Sequence, residues 1–184
     1  MRIVGGSFRG RTIAAPKSQA IRPTADRLRE SLFNILVHAY DNPVRGARVL
    51  DLFAGTGALG LEAMSRGAAF ALFVDDGAEA RALIRGNVEA LGLGGTTHIF
   101  RRDATRLGPA HPVDPFSLVF LDPPYGKGLA GPALIAARDG GWLVPGALVV
   151  VEEAADAGFA PPEGFEELER RDYDDTEFIF LRSR

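Results

Sequence analysis

Cysteine is absent from the 184 residues, while His occurs three times, Met twice and Trp once. Without Cys there is no thiolate nucleophile, no thiolate zinc site, no iron–sulfur cluster and no disulfide. The His residues (His38, His98 and His111) match no motif, so no metal is expected. Long apolar runs are also missing. The longest strictly apolar stretch is the seven residues Ala68–Val74, far short of the ~20 needed to span a bilayer. The opening Met-Arg-Ile-Val-Gly-Gly lacks the apolar core of a signal peptide. These absences point to a cytoplasmic, non-membrane chain. The length suits one globular domain that can bury about 70% of its unfolded surface.

Lysine is scarce as well: 19 of the 21 basic residues are Arg. Their distribution is uneven. Residues 1–29 carry seven cations and one acid, net +6, whereas residues 30–184 carry 14 cations and 23 acids, net −9. A basic head on an acidic body suggests a polyanion met by one end of the molecule. Arg forks match phosphate geometry better than Lys does. A solvated arm with no partner is the plainer alternative.

Along the chain, residues 2–13 read as a short hairpin with Gly5, Gly6 and Gly10 supplying turns. Residues 14–23 are a loop with two prolines, and a helix is expected from Thr24, capped by that residue, with Asp26 in its first turn. From residue 47 the rhythm becomes strand–helix: strands at Ala47–Leu52, Phe70–Val74, Thr97–Arg101, Ser117–Leu121 and Ala147–Val151, with helices at Ala58–Arg66, Ala78–Leu91 and Leu129–Arg138. Continuous Val/Leu/Phe strands separated by helices argue a mostly parallel α/β sheet covered on both faces. Phe165–Tyr173 and Glu177–Leu181 look like a closing antiparallel hairpin around Asp174-Asp175.

The sharpest signal is Val49-Leu50-Asp51-Leu52-Phe53-Ala54-Gly55-Thr56-Gly57-Ala58-Leu59-Gly60, a buried strand turning through glycines into a helix. Gly55-x-Gly57-x-x-Gly60 satisfies the dinucleotide pattern, and Asp75 falls 20 residues beyond Gly55, where a ribose-binding acid belongs. Asp51 argues against a dinucleotide, because a carboxylate at that strand end would repel a pyrophosphate. It suits a cationic ligand, and S-adenosylmethionine carries a sulfonium and an ammonium but no phosphate. Asp-x-Phe-x-Gly-x-Gly resembles the first motif of class I AdoMet-dependent methyltransferases. Asp51, Phe53, Ala54, Gly55 and Gly57 would then hold the methionine part. Asp75, with Asp76 as its rival, would take the ribose, and Asp103 with Ala104 the adenine. All would lie at the carboxyl edge of the sheet, where open α/β folds bind ligands.

The fourth strand leads into Asp122-Pro123-Pro124-Tyr125. Two prolines fix a rigid turn. The Asp122 side chain and the Pro123 carbonyl can accept both hydrogens of one amino group, and Tyr125 offers a face for a planar base. The tetrapeptide resembles the (Asp/Asn)-Pro-Pro-(Tyr/Phe) motif of methyltransferases acting on exocyclic amines. Such an amine is a poor nucleophile because its lone pair is delocalised, so the required work is positioning and electrostatics. The lack of Cys agrees, since C5-pyrimidine methylation needs a thiol nucleophile.

The opening Arg2-Ile3-Val4-Gly5-Gly6-Ser7-Phe8-Arg9-Gly10-Arg11 narrows the family further, as does Arg22-Pro23-Thr24-Ala25-Asp26-Arg27-Leu28-Arg29-Glu30-Ser31-Leu32-Phe33-Asn34-Ile35-Leu36. Both resemble the bacterial 16S rRNA (guanine-N2-)-methyltransferases, the RsmD family. The likeness runs through to Tyr173-Asp174-Asp175-Thr176. It implies a class I, Rossmann-like methyltransferase domain over residues 24–184 with a basic arm over residues 1–23. It also implies transfer of a methyl group from S-adenosylmethionine to the N2 amine of a guanine in 16S rRNA of the 30S subunit or an assembly intermediate, by a monomer. Arg9, Arg11, Lys17, Arg22 and Arg29 would track RNA phosphates, which positions RNA without reading it. Tyr125 would stack a flipped-out base. Asp75 stands where the family usually has Glu, and Asp174 where it often has Gly. Three other readings stay open: an adenine-N6 DNA methyltransferase, a methyltransferase of small-molecule or protein amines, and a non-catalytic RNA-binding protein that retains AdoMet.

Overall fold

The computed structural model describes residues 1–17 and 25–184. Arg22 and Thr24 lie outside the described residues. The chain forms α1 (Asp26–Ala39), β1 (Arg48–Leu52), α2 (Ala58–Ser65), β2 (Phe70–Val74), α3 (Ala78–Ala90), β3 (Thr97–Phe100), a 3-10 turn (Ala104–Arg106), β4 (Phe116–Leu121), α4 (Ala130–Asp139), β5 (Leu143–Ala154), β6 (Phe165–Tyr173) and β7 (Thr176–Ser183). One seven-stranded sheet has the order β3-β2-β1-β4-β5-β7-β6. The first five strands are parallel, and β7 runs antiparallel to both of its neighbours. The doubly covered α/β sheet and the closing hairpin read from the sequence are both present.

Strand alternation divides the interior into two layers. Val49, Leu118, Phe120, Val150 and Phe180 face one side, where α1, α2 and α3 lay down Leu32, Phe33, Leu61, Ile84 and Val88. Leu50, Leu52, Val119, Val149 and Ile179 face the other, which α4 covers with Ala133, Leu134 and Ala137. Trp142 is fully buried in the second layer and donates its indole N–H to the Gly108 carbonyl at 2.8 Å. Because the strands are apolar on both faces, only their ends can carry charge cheaply.

The register aligns those ends. Leu52 pairs with Val74 and Leu121, Val74 pairs with Phe100, and Leu121 pairs with Val151. The segments that follow β1, β2, β3 and β4 therefore leave the sheet on one edge. Strand order reverses at β1, which has β2 on one side and β4 on the other. That switch point opens a crevice.

Three elements differ from the sequence reading. β5 extends well beyond Ala147–Val151, because antiparallel β7 pairs with it as far as Ala154. α1 starts at Asp26, with Ala25 at the N-cap and no side-chain cap bond. The N-terminal hairpin shrinks to a single bridge, Arg2 with Thr12. Backbone bonds from Ile3 N–H to Arg11, Gly10 N–H to Ile3 and Ile13 N–H to Met1 carbonyls close it, and side chains of the body hold it as well. Val4 and Gly5 donate to the Glu62 carboxylate at 3.0 and 2.9 Å, and Ala14 donates to Asn87 Oδ1 at 2.7 Å. Ile3 and Ile13 are buried in the first layer. Residues 1–14 of the basic head are thus packed onto α2 and α3, and do not project as a solvated arm.

Candidate active site

The chain leaving β1 meets a sharp turn. Gly55 and Gly57 have φ of 60° and 80°, the left-handed region that favours glycine. Gly57 is the N-cap of α2 and donates to the Ala54 carbonyl at 2.8 Å. A Cβ at Gly60 would stand 2.5 Å from the Phe73 ring and 3.1 Å from Asp51 Oδ2, so the third glycine serves close packing of α2 on the sheet. Phe53 adopts φ 57° without being glycine, a conformation costing of order 1–3 kcal/mol that surrounding structure must impose.

Asp51 is buried, and its Oδ2 accepts the Gly60 N–H at 3.0 Å. Burial pushes its pKa well above the ordinary carboxylate value, and the negative Asp122 and Asp75 push it the same way, against the Gly60 hydrogen bond. Asp75 ends β2. Its two oxygens accept the N–H groups of Gly55 at 3.0 Å and Gly77 at 2.9 Å, so it ties the glycine loop to the next strand end.

A cavity of about 540 Å³ lies between these segments. Of the residues expected to hold the cofactor, Asp51, Phe53, Ala54, Gly55 and Asp75 line it, as do all four of Asp122-Pro123-Pro124-Tyr125. Asp76 lines it too, so both candidates for the ribose acid are present. The wall holds five acids, with Glu79 as the fifth, and among the described residues no Arg or Lys. A pyrophosphate would be repelled from such a wall, whereas a phosphate-free cation gains from it. The donor set therefore fits S-adenosylmethionine and does not fit a dinucleotide.

Three expected contacts fall elsewhere. Gly57 shapes the loop without lining the cavity. Asp103 is exposed, and its Oδ1 accepts from Thr105 N at 2.9 Å and Thr105 Oγ1 at 2.7 Å, bonds that lower its pKa. It caps the 3-10 turn, while Ala104 is buried in the second layer. The cavity reaches Asp76, Gly77 and Ala78 instead.

The basic head also divides. Arg9, Arg11 and Lys17 are exposed; Arg11 donates to the Ala90 carbonyl at the end of α3 at 2.8 Å. Arg29 is a correction to the phosphate-tracking set. Its side chain is fully buried, with Nε 3.2 Å from Glu62 and Nη2 2.8 Å from Asp26, and it also donates to the Arg2 carbonyl. An RNA phosphate cannot reach it. Glu62 was not singled out from sequence, although an acid inside the otherwise apolar, wholly buried α2 was the available signal. Among the described residues no cluster of His, Asp and Glu could hold a metal, and no helix is long and apolar enough to cross a membrane.

Comparison with known proteins agrees with this geometry. Residues 1–182 match the family model described as conserved hypothetical protein 95. The chain is 40% identical over 159 residues to ribosomal RNA small subunit methyltransferase D of Escherichia coli K12, covering 86% of this chain and 77% of that protein. It is 32% identical over 173 residues to the protein of the same name from Haemophilus influenzae, covering 93% and 88%. The solved structure of the Escherichia coli protein yhhF superposes with a TM-score of 0.82 at 32% identity, over 100% of this chain and 97% of that one. With the edge-on acidic cavity, the shared fold and these identities together, the chain belongs to the conserved hypothetical protein 95 family, that of the ribosomal RNA small subunit methyltransferases D.

Proposed function

We propose that this chain methylates the exocyclic N2 amine of a guanine in 16S rRNA, with S-adenosylmethionine as methyl donor. The observation that carries the reading is that Asp51, Asp75 and the whole of Asp122–Tyr125 line one cavity. That shared lining supports a cation-binding wall and an amine-binding turn that serve one ligand pair. The cofactor supplies an electrophilic methyl on its sulfonium. Everything else is done by the chain. Asp51 with the glycine loop holds the methionine end, Asp75 the ribose, and the Asp76–Ala78 wall the adenine. The Asp122 carboxylate and the Pro123 carbonyl accept the two amine hydrogens, which favours a pyramidal nitrogen with its lone pair exposed. Tyr125 gives the base a face to stack on.

Charge separates the two ends of the RNA. Five acids repel phosphates from the cavity, so only a base enters. Arg9, Arg11 and Lys17 attract the backbone on the face where the arm lies. A pocket for a planar base, rather than an unrestricted amine, favours a nucleic acid over small-molecule or protein amines.

The test is transfer of labelled methyl to 30S particles, naked 16S rRNA and duplex DNA in parallel. Methylation of 30S particles or rRNA with N2-methylguanine as product is expected. Asp122→Ala should lower the single-turnover rate by about 10² or more while leaving AdoMet affinity within about threefold, as loss of a transition-state partner does. Label confined to DNA adenine would replace this reading with the N6 alternative. An Asp122→Ala enzyme at the wild-type rate would remove the amine-binding role.

A further inference from the structure

The C-terminal hairpin returns to the active edge. Because β7 is antiparallel, its first residue, Thr176, pairs with Ala154 at the end of β5 and with Tyr173 across the turn. Asp174 holds this turn with φ 56°, tolerable for Asp, and the Asp175 carbonyl accepts the Ala155 N–H at 2.9 Å. The turn is thereby fastened to the sheet one strand away from β4, which delivers the tetrapeptide. Thr176 is buried, and its Oγ1 lies 2.6 Å from the Tyr125 hydroxyl, a hydrogen bond between residues 51 positions apart.

Tyr125 sits on a loop with Gly126 and Gly128 just beyond it, both at positive φ. Pro123 and Pro124 fix the backbone before the ring, but nothing in the sequence after it does. A Tyr ring turns about two side-chain bonds, and anchoring its hydroxyl removes most of that freedom. We infer that Thr176 is a positioning residue for methyl transfer: it holds the Tyr125 ring in the plane on which the target base stacks. This rests on the proposed base-stacking role of Tyr125 and extends it to a residue contributed by the β6–β7 turn. The phenol hydroxyl is consequently a tether, and the ring face is the working surface.

The experiment is a double-mutant cycle of Thr176→Val and Tyr125→Phe, with Thr176→Ser as the conservative control. Single-turnover methylation of the RNA substrate and AdoMet affinity are measured for each. Thr176→Val keeps the β-branched shape that the strand requires and removes only the hydroxyl. Each single change should lower the rate about five- to tenfold, the size of one net hydrogen bond. The double variant should be no slower than the worse single, and Thr176→Ser should recover to within about threefold of wild type. AdoMet affinity should move by less than about twofold. With 3-fluorotyrosine incorporated at the three tyrosines, the ring resonance lost in Tyr125→Phe should shift in Thr176→Val and return in Thr176→Ser. Multiplicative losses in the double variant, an unshifted Tyr125 resonance, or a Thr176→Val enzyme at wild-type rate would each overturn the inference. Wild type that transfers no methyl to any RNA would overturn the substrate reading and this role with it.

Discussion

Charge does opposite work at the carboxyl edge of the sheet and in the N-terminal head. At the edge, five acids share one cavity wall that carries no cation among the described residues, and Asp51 is buried there beside Asp75 and Asp122. That arrangement is costly until a cation arrives, which is what a binding site requires. In the head, Arg29 and Glu62 are buried as a pair, and Glu62 also takes Arg66 Nε at 2.8 Å and two arm N–H groups. That arrangement is satisfied without any ligand. Like charges gathered on one wall mark the site, and charges paired with their opposites mark the scaffold, although both are carried by the same residue types.

The sharpest way to break this distinction is where α2 grips the head. Glu62→Ala would leave buried Arg29 with the half-exposed Asp26 carboxylate in place of its buried partner, and would free two arm N–H groups. Removing one partner of a buried pair costs about 3–5 kcal/mol, whereas Arg9→Ala at an exposed position should stay within about 0.5 kcal/mol. Urea unfolding of both variants checks this. A Glu62→Ala loss below about 1 kcal/mol would mean the clasp contributes little, and the arm would revert to a peripheral element.

The next comparison puts stability against binding at Asp51. Its folded pKa is raised above the unfolded value, so its contribution is fully favourable below the unfolded pKa and is lost as pH rises through the folded one. At neutral pH the ionised form is a burden on the ligand-free fold. Asp51→Asn keeps an oxygen to accept the Gly60 N–H and removes the charge. It should raise stability by about 0.5–2 kcal/mol at neutral pH, typical of a single stabilising change, with the gain fading as pH falls towards the unfolded carboxylate value. AdoMet affinity should weaken by about 1.5–3 kcal/mol, the range for hydrogen bonds to charged groups. Thermal melts across pH and calorimetry with AdoMet read both. A variant that binds as tightly as wild type would show that the buried charge is not there for the ligand.

The edge was legible in sequence because its signals are local. A strand, then an acid, then glycines or prolines, fixes both the turn and the side on which it opens, so Asp51, Asp75 and Asp122–Tyr125 converge as expected. The head was not, because its determinants are distant. Whether Arg29 meets phosphate or carboxylate depends on Glu62, 33 residues away, and a charge count cannot see that pairing. Ile3 and Ile13 are too few to show periodicity, yet their burial decides that the arm lies on the body. Asp103 shows a local effect instead: Thr105, two residues on, bonds its Oδ1, and Asp103 caps the 3-10 turn outside the cavity lining. Thr176 lies in the Tyr173–Thr176 motif, but only the antiparallel pairing of β5 and β7 brings it to Tyr125.

The smallest expected effect, and the finest divide within the head, concerns the exposed cations. Arg9 and Arg11 are solvent-facing; Arg11 holds the Ala90 carbonyl and lies 6.0 Å from the Phe8 ring centre, two contacts at the surface. Replacing both by Ala should therefore leave folding stability within about 0.5 kcal/mol. RNA affinity should fall modestly and its salt dependence should change more clearly. Each phosphate contact adds about 0.7–0.9 to the slope of log K against log salt, so the double variant should lose about 1.4–1.8. The loss should be alike for unrelated RNA sequences, since phosphate contacts carry no base information. Arg29 would make a false member of this set, because any change in slope on replacing it would come through unfolding of the clasp. Filter binding to 30S particles across a salt series, with a parallel melt of each variant, separates the two effects. An unaltered slope in the Arg9/Arg11 variant would assign the whole head to scaffold and leave the RNA backbone to be met elsewhere on the chain.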